Sequence, residues 1–139
     1  MLAITEIDAY LDALTGDQSE SIRAVRAQIV ESNPDLFEEI DSGKWFGGML
    51  TYHTQDRILV FALGPLSGGF STLHMMAYYG SSALQERHGA ELKKLLSGKS
   101  CVKFKHHTQL PQAAILDILA ATPKYAEAAR EMFAKRKKR

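Results

Sequence analysis

Apolar residues in the first third of the chain recur every three or four positions. They form two stripes, the first ending at Gly16 and the second running from about Asp17 to Asn33-Pro34. Side chains with this spacing share one face of a helix, so the pattern predicts two amphipathic helices. The residues expected to face inward are Ile7, Tyr10, Leu11, Leu14, Ile22, Val25, Ile29 and Val30.

After Pro34 the chain is punctuated by glycines and changes to short runs rich in β-forming residues. The runs are MLTYH at 49–53, RILVFALG at 57–64 and STLHMMAYY at 71–79, and each predicts a strand. Polar residues at 55–57 suit a hairpin connection between the first two runs. Strands this close together in the sequence favour antiparallel pairing.

Helical spacing returns at 81–96 and again in the last quarter of the chain. Between these segments, CVKFKH at 101–106 alternates apolar residues with lysines, the pattern of a strand with one wet face. Pro111 then predicts the start of a helix, and Thr122-Pro123 predicts the start of a final helix that continues into the basic tail.

The order of these elements determines the fold class that we expect. Runs of strands between helices, rather than strict alternation, are typical of α+β proteins, and here they predict a curved antiparallel sheet of about five strands. The sheet should pack against the N-terminal and C-terminal helices. With 139 residues the chain has the usual length of one domain, so we expect a single domain over 1–134 and a basic tail over 135–139.

The net charge of +1 hides an asymmetry along the chain. Five of the 17 basic side chains lie in the last five residues, which leaves 12 basic against 16 acidic side chains in the rest, a net charge of −4. A body of this charge does not attract a phosphate backbone, so nucleic-acid binding is not expected outside the tail. The KRKKR run itself is typical of a solvated helix end.

The cysteine content and the first residues indicate a cellular compartment. Cys101 is the only cysteine, so no internal disulfide can form and a reducing compartment fits. Acidic residues at 6, 8 and 12 stand where a signal peptide would be apolar. No run approaches the ~20 apolar residues of a membrane helix. We expect a cytoplasmic protein without a membrane partner.

Several strings resemble the YdhG-like family of small bacterial proteins, a domain of unknown function. They are EEIDSG at 38–43, STLHMMAYYG at 71–80 and GKSCVKF at 98–104, followed by Pro111 before the last helices. The resemblance spans about 5–120 and implies an α+β fold with a curved sheet. Some members are described as frataxin-like intracellular iron chaperones, which implies weak iron binding and delivery as one function.

The acidic residues that open the sheet are the candidate metal ligands. Asp35, Glu38, Glu39 and Asp41 place four carboxylates within seven residues, and oxygen ligands suit hard cations and labile iron. We predict the metal site at Glu38, Glu39 and Asp41. A solvated acidic edge is the competing interpretation, because alternation along a strand sends Glu38 and Glu39 to opposite faces.

Aromatic side chains around the strands form the second candidate site. Trp45, Tyr52, His74 and Tyr78 could line a pocket for an apolar or planar ligand, although core packing explains the same residues. The five histidines lack the helical spacing of a zinc motif such as H-E-x-x-H, so the sequence does not predict a structural metal site.

Neither of two further motifs predicts catalysis. Cys101 could act as a nucleophile if a nearby cation lowered its pKa, but an inert thiol fits the same position. Gly98-Lys99-Ser100 lacks the earlier glycine of a phosphate-binding loop. The sequence therefore predicts a non-enzymatic binding protein that could handle iron weakly, with no tightly bound cofactor. The alternative is a small-molecule pocket or an unrecognised enzyme lined by aromatics and His74.

Overall fold

Five α-helices and five β-strands make up the described part of the protein, which covers residues 4–43, 46–98 and 101–137 in a computed structural model. The helices are α1 (Ile4–Asp12), α2 (Gly16–Ser32), α3 (Met76–Tyr79), α4 (Ser82–Leu92) and α5 (Gln112–Lys137). The strands are β1 (Phe37–Ile40), β2 (Leu50–His53), β3 (Leu59–Pro65), β4 (Ser71–Met75) and β5 (Cys101–Phe104). Short 3-10 helices lie at Ser67–Gly69 and His107–Gln109.

All five strands form one open antiparallel sheet in the order β1-β2-β3-β4-β5. Neighbours in the sheet are therefore neighbours in the sequence, and the connection that contains α3 and α4 joins β4 to β5. The predicted α+β class, with an antiparallel sheet of about five strands between helices, is confirmed.

One face of the sheet forms the core with the helices. Because side chains alternate between faces, residues paired across strands share a face. One such row runs from Leu50 through Leu63 and Leu73 to Val102, and every member is at most 1% exposed. The buried stripe of α2 packs on this side and consists of Ser21, Ile22, Val25 and Ile29.

The opposite face carries a row of more polar residues across all five strands. The row consists of Glu39, Thr51, Ala62, His74 and Cys101. The β1–β2 loop folds over it, and Met49 lies so close to Gly64 that a Cβ there would be 2.7 Å from the Met49 Cγ and 3.2 Å from its Cα. Glycine at position 64 therefore lets the loop rest on the sheet.

Three local predictions were wrong. Val30 was expected to face inward but is 41% exposed, because the buried stripe of α2 continues through Ile29 instead. The segment 71–79 is a strand only to Met75 and then turns into α3. Thr122-Pro123 does not open a new helix, since α5 runs continuously from Gln112 to Lys137.

Helix α5 tolerates its internal proline because a neighbouring side chain replaces the missing donor. Pro123 has no N–H to give to the carbonyl oxygen of Leu119, four residues earlier. The side-chain amide of Asn33, just past the end of α2, donates to that oxygen at 3.2 Å. Thr122 donates its hydroxyl to the carbonyl oxygen of Ile118 at 3.0 Å. The contact between Asn33 and Leu119 thus joins the end of α2 to the middle of α5.

Replacing Asn33 should destabilise the protein by an amount that depends on Pro123. In Asn33→Ala the buried Leu119 carbonyl loses its donor, and we expect a loss of about 1–3 kcal/mol in the free energy of unfolding. In a Pro123→Ala background the backbone N–H of residue 123 supplies the donor, so the same substitution should cost less. Urea unfolding of the four proteins of this double-mutant cycle measures the difference. Equal losses in both backgrounds would contradict the assignment.

Candidate functional site

The three predicted carboxylate ligands lie in different environments. Glu38 points to the helix side of the sheet and Glu39 to the loop side, as the two-residue period requires. Arg26 on α2 binds both oxygens of Glu38, with Nε to Oε2 and Nη2 to Oε1 at 2.8 Å each. The Tyr52 hydroxyl also donates to Glu38 Oε2, at 2.5 Å. The oxygens of Glu38 are therefore committed to protein donors.

The ion pair of Arg26 with Glu38 shifts the protonation of its neighbours. The hydrogen bond with Glu38 raises the pKa of Arg26 above its ordinary value. Burial, reinforced by the Glu38 charge, raises the pKa of Tyr52 far above the ordinary value. Arg26 and Tyr52 thus keep their protons, and the cluster ties α2 to β1 and β2.

Glu39 and Asp41 have different partners on the loop side. Glu39 contacts Nε2 of His53, and Arg57 Nη2 lies 3.8 Å from the Glu39 Oε1. Asp41 Oδ1 accepts from the backbone N–H of Gly43 at 2.8 Å, and its Oδ2 accepts from the N–H of Phe46 at 3.2 Å. Asp41 therefore organises the β1–β2 loop. Iron binding by the three carboxylates stays a prediction, and their separation does not support one shared ion.

The predicted aromatic pocket is likewise divided between elements. Tyr52 lies in the core beside Glu38, whereas His74 lies on the loop side with the ring of Phe46 edge-on at 4.9 Å. Burial lowers the pKa of His74, which favours the neutral imidazole. Tyr78 is buried in α3 and adjoins a separate depression beside Leu96. Trp45 lies outside the described residues. Tyr52, His74 and Tyr78 do not line one cavity.

A cleft of about 630 Å³ lies where the end of α2 meets α5. Its apolar walls are Pro34, Leu36, Phe37, Pro123 and Ala126. Asn33 and Thr122 line it as well, and both use their side chains to satisfy carbonyls of α5. The hairpin residues Thr54 and Gln55 close the far side. The hydrogen bond from Asn33 to the Leu119 carbonyl, which compensates for Pro123, thus lies in the cleft wall.

An ion pair marks the mouth of the cleft. Nε and Nη2 of Arg130 on α5 donate to the carboxylate of Asp56 in the β2–β3 hairpin. Hydrogen bonds from Arg130 and from Thr54 lower the pKa of Asp56, so its carboxylate stays ionised. The Arg130 side chain remains 51% exposed. No residue in the described ranges accepts from its Nη1 group, which leaves that group available to a ligand.

The single cysteine has the properties of an inert thiol. Cys101 lies on the loop-side face of β5, and its Sγ donates to the carbonyl oxygen of Ser97. Burial raises the pKa of the thiol, which opposes formation of the nucleophilic thiolate. Lys99 and Ser100, which the phosphate-loop comparison involved, lie outside the described residues. The nucleophile interpretation of Cys101 therefore gains no support.

One group of potential metal-ligating side chains comes from segments far apart in the sequence. Glu20, His106 and His107 place one ligand atom each within 4.8 Å of one another. This cluster was not predictable from the sequence, because Glu20 precedes the histidines by more than eighty residues. Only the packing of α2 against the 3-10 helix His107–Gln109 brings them together.

A scan of protein-family models, a search of curated proteins and a search of solved structures each found no match to this chain. The resemblance to the YdhG-like family accordingly depends on the quoted strings alone. Within the described ranges, none of the helices has both the length and the apolar character needed to cross a membrane.

Neutralising Glu38 should destabilise the protein more than neutralising its neighbour Glu39. In Glu38→Gln the half-buried Arg26 loses its counter-charge, so we expect the free energy of unfolding to fall by about 1–3 kcal/mol. Glu39→Gln is the matched control on the same strand. One partner of Glu39, Arg57, is 75% exposed, so we expect the free energy of unfolding to fall by less than about 1 kcal/mol. Urea unfolding at neutral pH measures both, and equal losses would contradict the role assigned to Glu38.

Tyr10 should make stability depend on alkaline pH. Burial raises its pKa from the ordinary 10.0 to about 12, and its hydroxyl donates to the carbonyl oxygen of Gly48 at 2.7 Å. The folded state thus favours the neutral phenol, and this contribution is present below pH 10.0 and lost as the pH rises through 12. Between pH 10.0 and 12, the free energy of unfolding should fall less steeply with pH in Tyr10→Phe than in the unmodified protein. Chemical unfolding across this range tests the effect, and identical slopes would refute it.

Proposed function

We propose that this protein is a non-enzymatic binding protein whose ligand occupies the cleft between the end of α2 and α5. The observation that carries the proposal is the cleft itself, whose volume of about 630 Å³ lies within the range of small-molecule sites. The proposal does not use the aromatic pocket predicted from the sequence, because Tyr52, His74 and Tyr78 are not among the residues that line this cleft.

The walls of the cleft favour a ligand with an apolar body. Pro34, Leu36 and Phe37 come from the α2–β1 connection, and Pro123 and Ala126 come from α5. Proline rings and an aromatic ring lose little conformational entropy on binding, which supports a preformed surface. The polar groups of Asn33 and Thr122 already have partners in α5, so a ligand need not satisfy them. Burial of apolar surface should therefore provide most of the affinity.

The mouth of the cleft favours an acceptor on the ligand. Arg130 can donate through Nη1 while it keeps its two bonds to Asp56, because a guanidinium has five N–H donors in one plane. A carboxylate would pair with this group better than a neutral acceptor does. We therefore propose a small organic acid with a mainly apolar body. The proposal is for binding.

Titration with small aromatic carboxylic acids and their amides, followed by amide NMR, tests the proposal. Resonances of Phe37, Thr54 and Ala126 should shift together, and the acids should bind more tightly than the amides. Ala126→Leu fills the cleft and should abolish the shifts. Ala128→Leu makes the same change at an exposed position of α5 and should leave binding intact.

A second variant separates the contribution of charge from that of volume. Arg130→Gln removes the cation without filling the cleft, so it should weaken binding of the acids by roughly tenfold, about 1.4 kcal/mol, and leave binding of the amides nearly unchanged. The proposal is wrong if no compound shifts the cleft resonances. It is also wrong if Ala126→Leu, with its fold confirmed by the same spectra, binds as the unmodified protein does.

A further inference from the structure

A cluster of two imidazoles and one carboxylate lies at the other end of α2. Glu20 lies in the second turn of this helix. His106 caps the 3-10 helix that follows β5, and His107 is its first residue. His106 Nε2 and Glu20 Oε1 lie 3.3 Å apart. Two donors bound to one tetrahedral zinc ion at ~2.0–2.1 Å would be about 3.4 Å apart, so this separation suits a shared ion.

The ring of His106 is held in a ligand-presenting orientation. Its Nδ1 lies 2.8 Å from the Thr108 hydroxyl oxygen, and the backbone N–H of Thr108 approaches the same nitrogen at 3.4 Å. Gln109 Oε1 accepts from the backbone N–H of His106 at 3.3 Å. With Nδ1 fixed by these contacts, Nε2 is directed toward Glu20. Metal-binding histidines commonly donate the N–H of the second ring nitrogen to an acceptor. A bound ion would therefore require His106 Nδ1 to carry the proton and to donate to the Thr108 hydroxyl oxygen, instead of accepting from the Thr108 backbone N–H.

His107 is anchored through its backbone and has an unsatisfied ring nitrogen. Its N–H donates to the hydroxyl of Ser21 at 2.9 Å, and Ser21 is fully buried in α2. The Nδ1 of His107 is buried and has no hydrogen-bond partner in the part of the chain that the structure describes. The two imidazole rings lie 4.3 Å apart. A buried ring nitrogen without a partner requires an explanation that the protein's own contacts do not provide.

We propose that Glu20, His106 and His107 bind a divalent metal ion of the Zn²⁺ class. Two neutral imidazoles and a carboxylate are ligands that zinc prefers, and three protein ligands leave a coordination position for water. The side chain of Glu20 is 63% exposed and can adjust its rotamer when an ion binds. The site is distinct from the cleft and from the predicted carboxylate site around Glu38.

A simple ion pair between Glu20 and His106 is the competing explanation. It accounts for the 3.3 Å contact but not for the inclusion of His107 or for its unpaired Nδ1. A metal ion accounts for the convergence of all three side chains. The two explanations differ in whether both imidazoles respond to the same ion.

Competition of the purified full chain with a chromophoric chelator for Zn²⁺ tests the proposal. We expect saturable binding of one ion, and Glu20→Gln should weaken it on the order of 10- to 100-fold. Glu31→Gln is the matched control, since Glu31 is an exposed glutamate on the same helix. This variant should bind Zn²⁺ as tightly as the unmodified protein. Glu20 is exposed, so its replacement should leave the fold intact.

Imidazole NMR identifies the ligands independently of the affinity. Zn²⁺ should shift the ring signals of His106 and His107 together and leave those of His53, His74 and His88 in place. A Cys101→Ser variant should bind Zn²⁺ as tightly as the unmodified protein. The proposal fails if Glu20→Gln retains full affinity, if only one of the two imidazoles responds, or if the ion binds at Cys101.

Discussion

The hydrogen bond from the Asn33 amide to the carbonyl oxygen of Leu119 is the contact on which the arrangement of the helices depends. Pro123 would otherwise leave this buried oxygen without a donor in the middle of α5. Because the donor comes from the residue after α2, this bond joins the end of α2 to the middle of α5. The cleft beside Pro123 exists because the helices meet there, with the α2–β1 connection as its other wall.

The sheet separates its side chains into two chemical environments. On the helix side, Arg26 neutralises Glu38 and the Tyr52 hydroxyl donates a hydrogen bond to it, so a charge is accommodated at the border of the core. On the loop side, the β1–β2 loop brings Phe46 over His74, and the Asp41 carboxylate fixes the conformation of that loop. Neighbouring acidic residues in the sequence thus have unrelated structural roles.

The elements were largely predictable, because they depend on local periodicity. The stripes of α1 and α2 and the alternation of Val102 with Lys103 identified helices and a strand, and alternation correctly indicated that Glu38 and Glu39 face opposite sides. Pro123 led to the wrong prediction of a new helix, because the donor that the Leu119 carbonyl lacks is supplied by Asn33, which lies just past the end of α2. The cleft and the cluster of Glu20 with His106 and His107 depend on helix packing, which a periodic pattern in one segment cannot reveal.

Strand β1 lies at the edge of the sheet, and its two glutamates affect how that edge can pair with other molecules. A strand in that position presents unpaired backbone groups that could recruit a strand from another molecule. β5, at the other margin, is shielded by backbone hydrogen bonds with Leu95 and Ser97. On β1 the shielding comes instead from charge, since any incoming strand would have to lie beside Glu38 and Glu39. The same carboxylates that anchor α2 and His53 therefore also discourage intermolecular sheet growth.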